Sequence, residues 1–424
     1  MNPAQLPSST WAVLISGQGC PEFEFLALKI TLGNFRQRLQ AQTATEADLR
    51  RELAAFFAQY KDTPVAQRDW GRIVNIGGVR PGTLCTVEQT AGKIHGGSIL
   101  VLAGEEALLA RLPEGNWIGG TIPYFMTAGG GCLCTDRIFV TELPDFVTDV
   151  QVRTYGAEEL AAIYRRDDRD PISLLILPYG TAVHQSFALN APNYPGFATH
   201  PVIGWVAGTQ LGAAGGPSCF CGGPAALSDR AVELRFYLPK KRHARIDVIN
   251  LFEPGGGDCL RFPTGGFIVK DVAVNGVTRA FADYLKETGG DLRLPLVADY
   301  CNTLVNVSIK QVRPETGEVE FFAPVWADVE YRQAVPVSDY VKSFETRLNA
   351  IPAGQIVFSC NCVLNYLYSN LEGRRTGSVV GPMTFGEIAY QLLNQTLVYL
   401  MIEESRVIDS SLAPSNAAPK TAGS

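Results

Sequence analysis

The sequence contains few histidines and methionines, four of each in 424 residues, and only 18% of its residues are charged. Its net charge of −6 provides no general attraction to phosphate backbones or to anionic lipids. No uncharged apolar run reaches about eighteen residues, and residues 1–10 lack the basic segment and apolar core of a secretion signal. We therefore expect a cytoplasmic protein that has neither nucleic acid nor a membrane among its partners.

Several familiar catalytic patterns are also absent. The chain has no phosphate-binding loop, no Gly-x-Gly-x-x-Gly opening a helix, no nucleophile elbow and no metalloprotease helix. The four histidines show no metal-ligand spacing. Nucleotide binding through those loops is thereby excluded, and whether the protein is an enzyme stays open, with its catalytic residues unknown.

The sequence is instead rich in paired cysteines. Ten cysteines are present, and random placement of ten would give about 0.2 Cys-x-Cys pairs. Six of them form three such pairs: Cys132 and Cys134, Cys219 and Cys221, and Cys360 and Cys362.

Thiolate side chains suggest a metal site. Cysteines of a cytoplasmic protein stay reduced, and thiolate sets favour zinc, copper or an iron–sulfur cluster. Glycine runs precede the first two pairs and would let each pair bend around a metal ion. We therefore predict that the six paired cysteines bind a metal ion or metal cluster. The alternative is that they fill small apolar sites near turns, as free cysteine often does.

Two stretches of the chain follow the same order of elements. In each, an apolar strand and a helical segment precede an Ile-Gly strand, a glycine-rich loop and a Cys-x-Cys pair. The strands begin at residues 98 and 173, and the pairs at Cys132 and Cys219. Recurrence in a fixed order is typical of two copies of one supersecondary unit.

These patterns predict an α/β fold. More specifically, they predict a two-lobed mixed α/β protein that has an internally repeated N-terminal unit and mixed sheets. Four regions are expected along the chain. An N-terminal extension covers residues 1–70, a region with the two repeated units 71–254, a further domain 255–405, and a disordered tail 406–424.

Several blocks of the C-terminal half resemble the FIST sensory domain family. They are residues 315–325 with their Phe-Phe-Ala-Pro run, 356–361 (Ile-Val-Phe-Ser-Cys-Asn), 381–388 (Gly-Pro-Met-Thr-Phe-Gly-Glu-Ile) and 394–397. The resemblance extends over about residues 70–405, which makes region 71–254 FIST N-like and region 255–405 FIST C-like. Cys362 and Val363 stand where the family usually has Gly and Arg.

This resemblance implies a sensory or binding protein that signals or delivers in trans, with a kinase or cyclase as its signalling partner. Combined with the cysteine pairs, it predicts a metal-binding sensor. Two alternatives are a metal-thiolate-dependent enzyme and a metal-free sensor of a small ligand or of haem. The residues expected to line a ligand pocket are Tyr300, Asn361, Thr384, Glu387 and Asn394.

Overall fold

The computed structural model of the protein describes residues 45, 47, 48, 51 and 79–404, except 148, 166–168, 241, 301–302, 328, 349–355 and 378. Most of the predicted N-terminal extension and the whole predicted tail lie outside the described residues. None of the helices in the described part of the chain has the length and apolarity needed to cross a lipid bilayer.

The first part of the described chain alternates short helices with buried strands. Thr86 caps the first helix through a reciprocal pair of hydrogen bonds with Gln89. The elements are β1 (Thr83–Cys85), α1 (Val87–His95), β2 (Leu100–Gly104), α2 (Glu106–Leu109), β3 (Trp117–Thr121), β4 (Tyr124–Thr127), β5 (Gly130–Leu133), β6 (Ile138–Glu142) and β7 (Val150–Tyr155).

The next part begins with a fully buried apolar strand, as expected for a strand covered on both faces. Its regular elements are β8 (Ile172–Pro178), α3 (Ala182–Asn190), β9 (Val202–Ala207), β10 (Cys219–Cys221), β11 (Ala226–Leu227), β12 (Ala231–Phe236) and β13 (Arg242–Ile249). Short 3-10 helices cover Leu160–Tyr164 and Ala191–Asn193.

The C-terminal part is mostly strand. It comprises β14 (Leu260–Arg261), β15 (Gly266–Val269), β16 (Asp271–Val274), β17 (Val277–Ala280), α4 (Phe281–Thr288), β18 (Leu296–Tyr300), β19 (Thr303–Val307), β20 (Ile309–Arg313), β21 (Glu318–Val325), β22 (Glu330–Gln333), α5 (Tyr340–Leu348), β23 (Ile356–Cys362), α6 (Val363–Tyr368), β24 (Gly381–Thr384), β25 (Glu387–Ala389), β26 (Gln391–Leu393) and β27 (Leu397–Glu404).

In the described part of the chain these strands form four six-stranded sheets and one three-stranded sheet. The sheets combine parallel pairs, such as β2 with β3 and β8 with β9, with antiparallel neighbours. The predicted mixed α/β fold with mixed sheets is confirmed.

Two segments of the chain share one topology, as their recurring sequence pattern predicts. In the first, β2 and β3 are parallel and β6 returns antiparallel beside β2. In the second, β8 and β9 are parallel and β12 returns antiparallel beside β8. The second unit also contributes a strand to the sheet of the first, because β10 pairs with β3, with Cys219 opposite Gly120.

The glycines of the first cysteine motif allow a close approach of two backbone segments. Gly131 N–H donates to Arg374 O at 3.0 Å, and Gly373 N–H donates to Gly131 O at 2.8 Å. A Cβ atom at Gly131 would lie 2.3 Å from Leu371 O and would clash with it, because a backbone atom cannot move aside as a flexible side chain can. The sequence analysis assigned these glycines to the bending of a metal site. In the structure they instead allow the segment that follows α6 to pack against β5.

The Gly131→Ala variant is therefore expected to be about 2–3 kcal/mol less stable than wild type, because the added methyl group forces two backbone segments apart. Denaturant unfolding measures the change. Gly92→Ala is the matched control. Gly92 is an exposed residue of helix α1, and a Cβ there would meet nothing within 4 Å. This variant should be about 0.4–1 kcal/mol more stable than wild type. A Gly131→Ala protein as stable as wild type would contradict the close approach.

Candidate functional site

The three cysteine pairs do not meet in space. Cys132 on β5 and Cys360 on β23 belong to one sheet, but β24 and β4 lie between their strands, a separation of about 14 Å at the usual strand spacing. Cys219 and Cys221 lie on β10 in another sheet. The described residues include no group of three or more His, Cys, Asp or Glu side chains that could hold a metal ion. The predicted metal-binding character is therefore wrong.

The cysteines have surroundings that favour neutral thiols. Burial raises the pKa of the Cys219, Cys360 and Cys362 thiols above the ordinary range. Cys360 Sγ donates to Gly204 O at 3.3 Å, and Cys134 Sγ donates to Asp136 Oδ1 at 3.2 Å. A metal ligand must instead be a thiolate.

One cysteine nevertheless belongs to a polar cluster that the fold builds in its interior. We call Cys362, Thr384, Glu387 and Thr396 the acid–thiol site. Cys362 ends β23, Thr384 ends the parallel neighbour β24, Glu387 begins β25, and Thr396 lies in the turn before β27. A hydrogen bond from Cys362 N–H to Thr396 O, 3.1 Å long, ties this turn to β23. All four residues are buried.

The Glu387 carboxyl group is completely buried. Thr396 donates to Oε2 from its backbone N–H at 3.1 Å and from its hydroxyl at 2.9 Å, and the Thr384 hydroxyl lies 3.4 Å from Oε1. Burial raises the pKa of the carboxyl group to about 8, although these donors and the Cys362 thiol favour the ionised form. No Lys, Arg or His among the described residues forms an ion pair with it. At neutral pH the group is therefore mainly a carboxylic acid.

Cys362 lies at the junction between β23 and α6, where it is the N-cap residue. The backbone N–H groups of Gln395 and Leu364 favour its thiolate, but burial and the nearby Glu387 outweigh them and raise its pKa. The thiol and the carboxylic acid each therefore hold a proton.

Asparagine side chains adjoin this site. Asn365 Nδ2 donates to Asn361 Oδ1 at 2.9 Å, and the Thr384 hydroxyl donates to Asn361 O at 3.2 Å. Asn394 lies two residues before Thr396 and is fully buried. The Oδ1 atoms of Asn365 and Asn394 are buried without a hydrogen-bond partner among the described residues. A cavity of about 10 Å³ beside Cys360 and Asn361 has the size of a single water molecule.

Of the five residues that the sequence analysis assigned to a ligand pocket, hydrogen bonds join Asn361, through its backbone oxygen, to Thr384 and Thr384 to Glu387. Asn394 lies two residues before Thr396. Tyr300 lies on β18 in a different sheet, where it interacts with Tyr331 of β22. Sequence reasoning assigned Cys362 to a metal and missed its contact with Glu387, because the two residues are 25 positions apart.

A comparison with protein families matches residues 85–403 to a family of unknown function, DUF6976. The chain belongs to this family. The match spans more than half of the sequence and includes the whole acid–thiol site. No FIST domain is matched, so the FIST resemblance inferred from short blocks is wrong, and the sensor and signal-transduction roles that depended on it lose their basis. No curated protein matches the chain.

A second buried polar cluster escaped the sequence analysis. The Ser173 hydroxyl donates to Glu233 Oε1 and lies 2.7 Å from His200 Nε2, and Arg235 Nε donates to Glu233 Oε1 at 3.0 Å. The Tyr155 hydroxyl donates to the other oxygen of Glu233. The sequence signal was available, because Glu233 and Arg235 are charged residues inside an apolar strand.

This cluster has the residue types of a catalytic triad in the wrong order. A triad needs histidine between the serine and the acid. Here the serine lies between His200 and Glu233, so the acid contacts the serine rather than the imidazole and cannot orient the ring or stabilise an imidazolium as a triad acid does. All three residues are also almost completely buried. We therefore assign the cluster a structural role and not a catalytic one.

Proposed function

We propose that the protein is a small-molecule-binding protein whose acid–thiol site takes up a primary ammonium group. The observation that carries the proposal is the buried Glu387 carboxyl group, which has only neutral partners in the described part of the chain. Strongly perturbed carboxyl groups cluster at functional sites. A cation beside Glu387 would turn a costly buried acid into a compensated ion pair.

The side chains around the site supply further acceptors. An ammonium group has three N–H donors. The Glu387 carboxylate and the hydroxyl oxygens of Thr384 and Thr396, which lie 3.4 and 2.9 Å from it, are acceptors at the site. The Oδ1 atom of Asn394, two residues before Thr396, is buried without a partner among the described residues.

Methylammonium chloride is the probe that tests this proposal, with sodium chloride at equal ionic strength as the salt control. The melting temperature of wild type is expected to rise with methylammonium, and to rise further at pH 8 than at pH 6, because the ionised carboxylate binds the cation. Glu387→Gln should abolish the rise, and the exposed control Glu372→Gln should retain it. Equal effects of both salts on wild type would refute the proposal.

A second candidate function is thiol-dependent catalysis. It is favoured by the position of Cys362 at a strand-to-helix junction, where two backbone N–H groups favour the thiolate and a carboxyl group lies within reach. In this mechanism the ionised form of Glu387, which is the minor form at neutral pH, would accept the thiol proton as Cys362 attacks an electrophile.

Iodoacetamide labelling of the native protein separates the two candidates. Binding without thiol chemistry predicts that Cys362 and its matched control Cys360 are alkylated equally slowly at neutral pH, because burial raises the pKa of both. Residue-resolved mass spectrometry measures the two rates. Selective fast alkylation of Cys362, lost in Glu387→Gln, would establish the catalytic alternative instead.

We further propose a cytoplasmic location. It is supported by the free thiols of the described cysteines, including the partly exposed Cys132, Cys134, Cys221 and Cys259. Cell fractionation followed by immunodetection tests it, and recovery in a secreted or membrane fraction would contradict it.

A further inference from the structure

We propose a second ligand site, independent of the acid–thiol site, at the carboxyl ends of the parallel strands β8 and β9, where the protein binds a small aromatic carboxylate. Four aromatic residues, which we call the aromatic patch, surround the place: Tyr179, Phe267, Phe322 and Phe385. In parallel α/β units this end of the strands is the usual position for ligands.

The aromatic patch is a partly exposed surface built from four separate parts of the chain. Tyr179 directly follows β8, Phe267 and Phe322 lie on β15 and β21, and Phe385 precedes β25. The Tyr179 ring lies 5.4 Å from the Phe385 ring and 6.3 Å from the Phe322 ring. All four side chains are half-buried. Rings exposed on one side offer a planar ligand a stacking surface.

A buried histidine underlies the patch. His184, in the first turn of α3, is only 2% exposed. Its ring lies 5.3 Å from the Tyr179 ring and 5.6 Å from the Phe267 ring. The Nδ1 atom accepts a hydrogen bond from Gly180 N–H at 3.4 Å, so in the neutral ring Nε2 carries the proton. That Nε2 donor is buried and has no hydrogen-bond partner among the described residues.

Irregular strand pairing brings further side chains to the same place. The pairing of β15 with β21 shifts register between Gly266 and Ile268, where two steps along β15 match five along β21, so the extra residues, Phe322 among them, lie on β21. The pairing of β20 with β21 shifts between Ile309 and Gln311, which makes Lys310 the bulged residue. Bulges commonly redirect side chains next to functional sites. Lys310 Nζ lies 5.4 Å from the centre of the Tyr179 ring.

One cation of this three-stranded sheet reaches the patch. Lys310 is 2.6 Å from Glu320, which also pairs with Arg313, and Glu318 pairs with Arg313 and Lys270 at 3.6 Å each. Because Glu320 is shared with Arg313, the Lys310 ammonium group, 5.4 Å from the centre of the Tyr179 ring, can also interact with an anionic ligand. Burial, assisted by the charge of Lys310, lowers the pKa of His184 to about 4, so the imidazole is a neutral donor at pH 7. A carboxylate would accept from His184 Nε2–H and from the Lys310 ammonium group.

Benzoate is the probe that tests this site, with benzyl alcohol and acetate as its two controls. Benzyl alcohol keeps the ring without the charge, and acetate keeps the charge without the ring. In titrations followed by ligand-observed NMR, benzoate should bind wild type at least about tenfold more tightly than either control, as expected for one hydrogen bond to a charged group. Equal affinity for benzoate and benzyl alcohol, or no saturable benzoate binding, would overturn the proposal.

Variants locate the binding. His184→Phe, which keeps an aromatic ring and removes the donor, and Lys310→Met should each weaken benzoate binding about tenfold. Lys270→Met removes a charge from the same sheet at a position 60% exposed and should change it little. If His184→Phe does not fold, Lys310→Met and the movement of the His184 imidazole resonance on adding benzoate decide the question. Glu387→Gln should bind benzoate normally, which separates this site from the acid–thiol site.

Discussion

Replacing Glu387 by Gln is expected to make the protein more stable than wild type at pH 8 by up to about 5 kcal/mol, and to leave the two nearly equal near pH 4.5. The effect follows from the burial of the carboxyl group, which raises its pKa from 4.5 to about 8. Each unit of pKa shift corresponds to about 1.4 kcal/mol, and 3.5 units give the stated upper limit.

The sign follows from proton binding. Between the unfolded pKa of 4.5 and the folded pKa of about 8, the folded state keeps the Glu387 proton and the unfolded state has released it. The free energy of unfolding therefore falls as pH rises through this window. The stability that the neutral acid allows is fully present below pH 4.5 and is lost once the pH exceeds about 8. A glutamine cannot ionise, so the free energy of unfolding of the variant does not fall in this way as the pH rises.

His184 opposes the trend in the lower part of the window. Burial lowers its pKa from 6.5 to about 4, so between these values only the unfolded state holds the proton, and stability rises with pH. The two slopes largely cancel below pH 6.5, and the net fall should be visible between pH 6.5 and 8. Urea unfolding of wild type and Glu387→Gln across pH 4.5–8 isolates the Glu387 contribution as the difference between the two curves. A difference that does not grow with pH would show that Glu387 is not a buried acid.

The Arg235→Met variant is expected to lose about 3–5 kcal/mol of stability, because it leaves Glu233 as a buried charge without its cation. Arg235 is 2% exposed and Glu233 is fully buried. The guanidinium also donates to Arg165 O at 3.1 Å and to Ile163 O at 2.6 Å, so its removal frees two carbonyl groups. The loss is a large part of the total stability of a typical domain.

Chemical denaturation measures this loss, and two further variants interpret it. The double variant Glu233→Leu/Arg235→Met removes both charges and should be more stable than Arg235→Met alone. Arg111→Met breaks the exposed ion pair with Glu88 and should have no measurable effect. If Arg235→Met were as harmless as Arg111→Met, the buried pair would not contribute to the fold.

Much of the fold could be predicted from the sequence because it depends on local patterns. The apolar runs that begin β2 and β8, and their repetition in a fixed order, predict two related parallel units. The cysteine pairs show the limit of such patterns. Their spacing is the same in all three cases, but Cys360 and Cys362 are buried in a central strand, whereas Cys132 and Cys134 are partly exposed near a sheet edge.

The candidate site was only partly predictable. Thr384, Glu387 and Thr396 are close in sequence, so a polar cluster was foreseeable from their spacing. Its electrostatic character was not, because the raised pKa of Glu387 depends on complete burial by distant strands. The same holds for His184, whose surroundings include Phe267 and Lys310 from strands more than 80 residues away.

The sequence by itself determined the mixed α/β class, the repeated unit and the residue types available for chemistry, because hydrophobic periodicity and glycine placement act over a few residues. Only the tertiary structure decided which of those residues meet. It separated the cysteine pairs into different strands and brought Cys362 to Glu387. The physical reason is that strand order and register are set by long-range pairing, and a pKa or a metal site depends on neighbours in space.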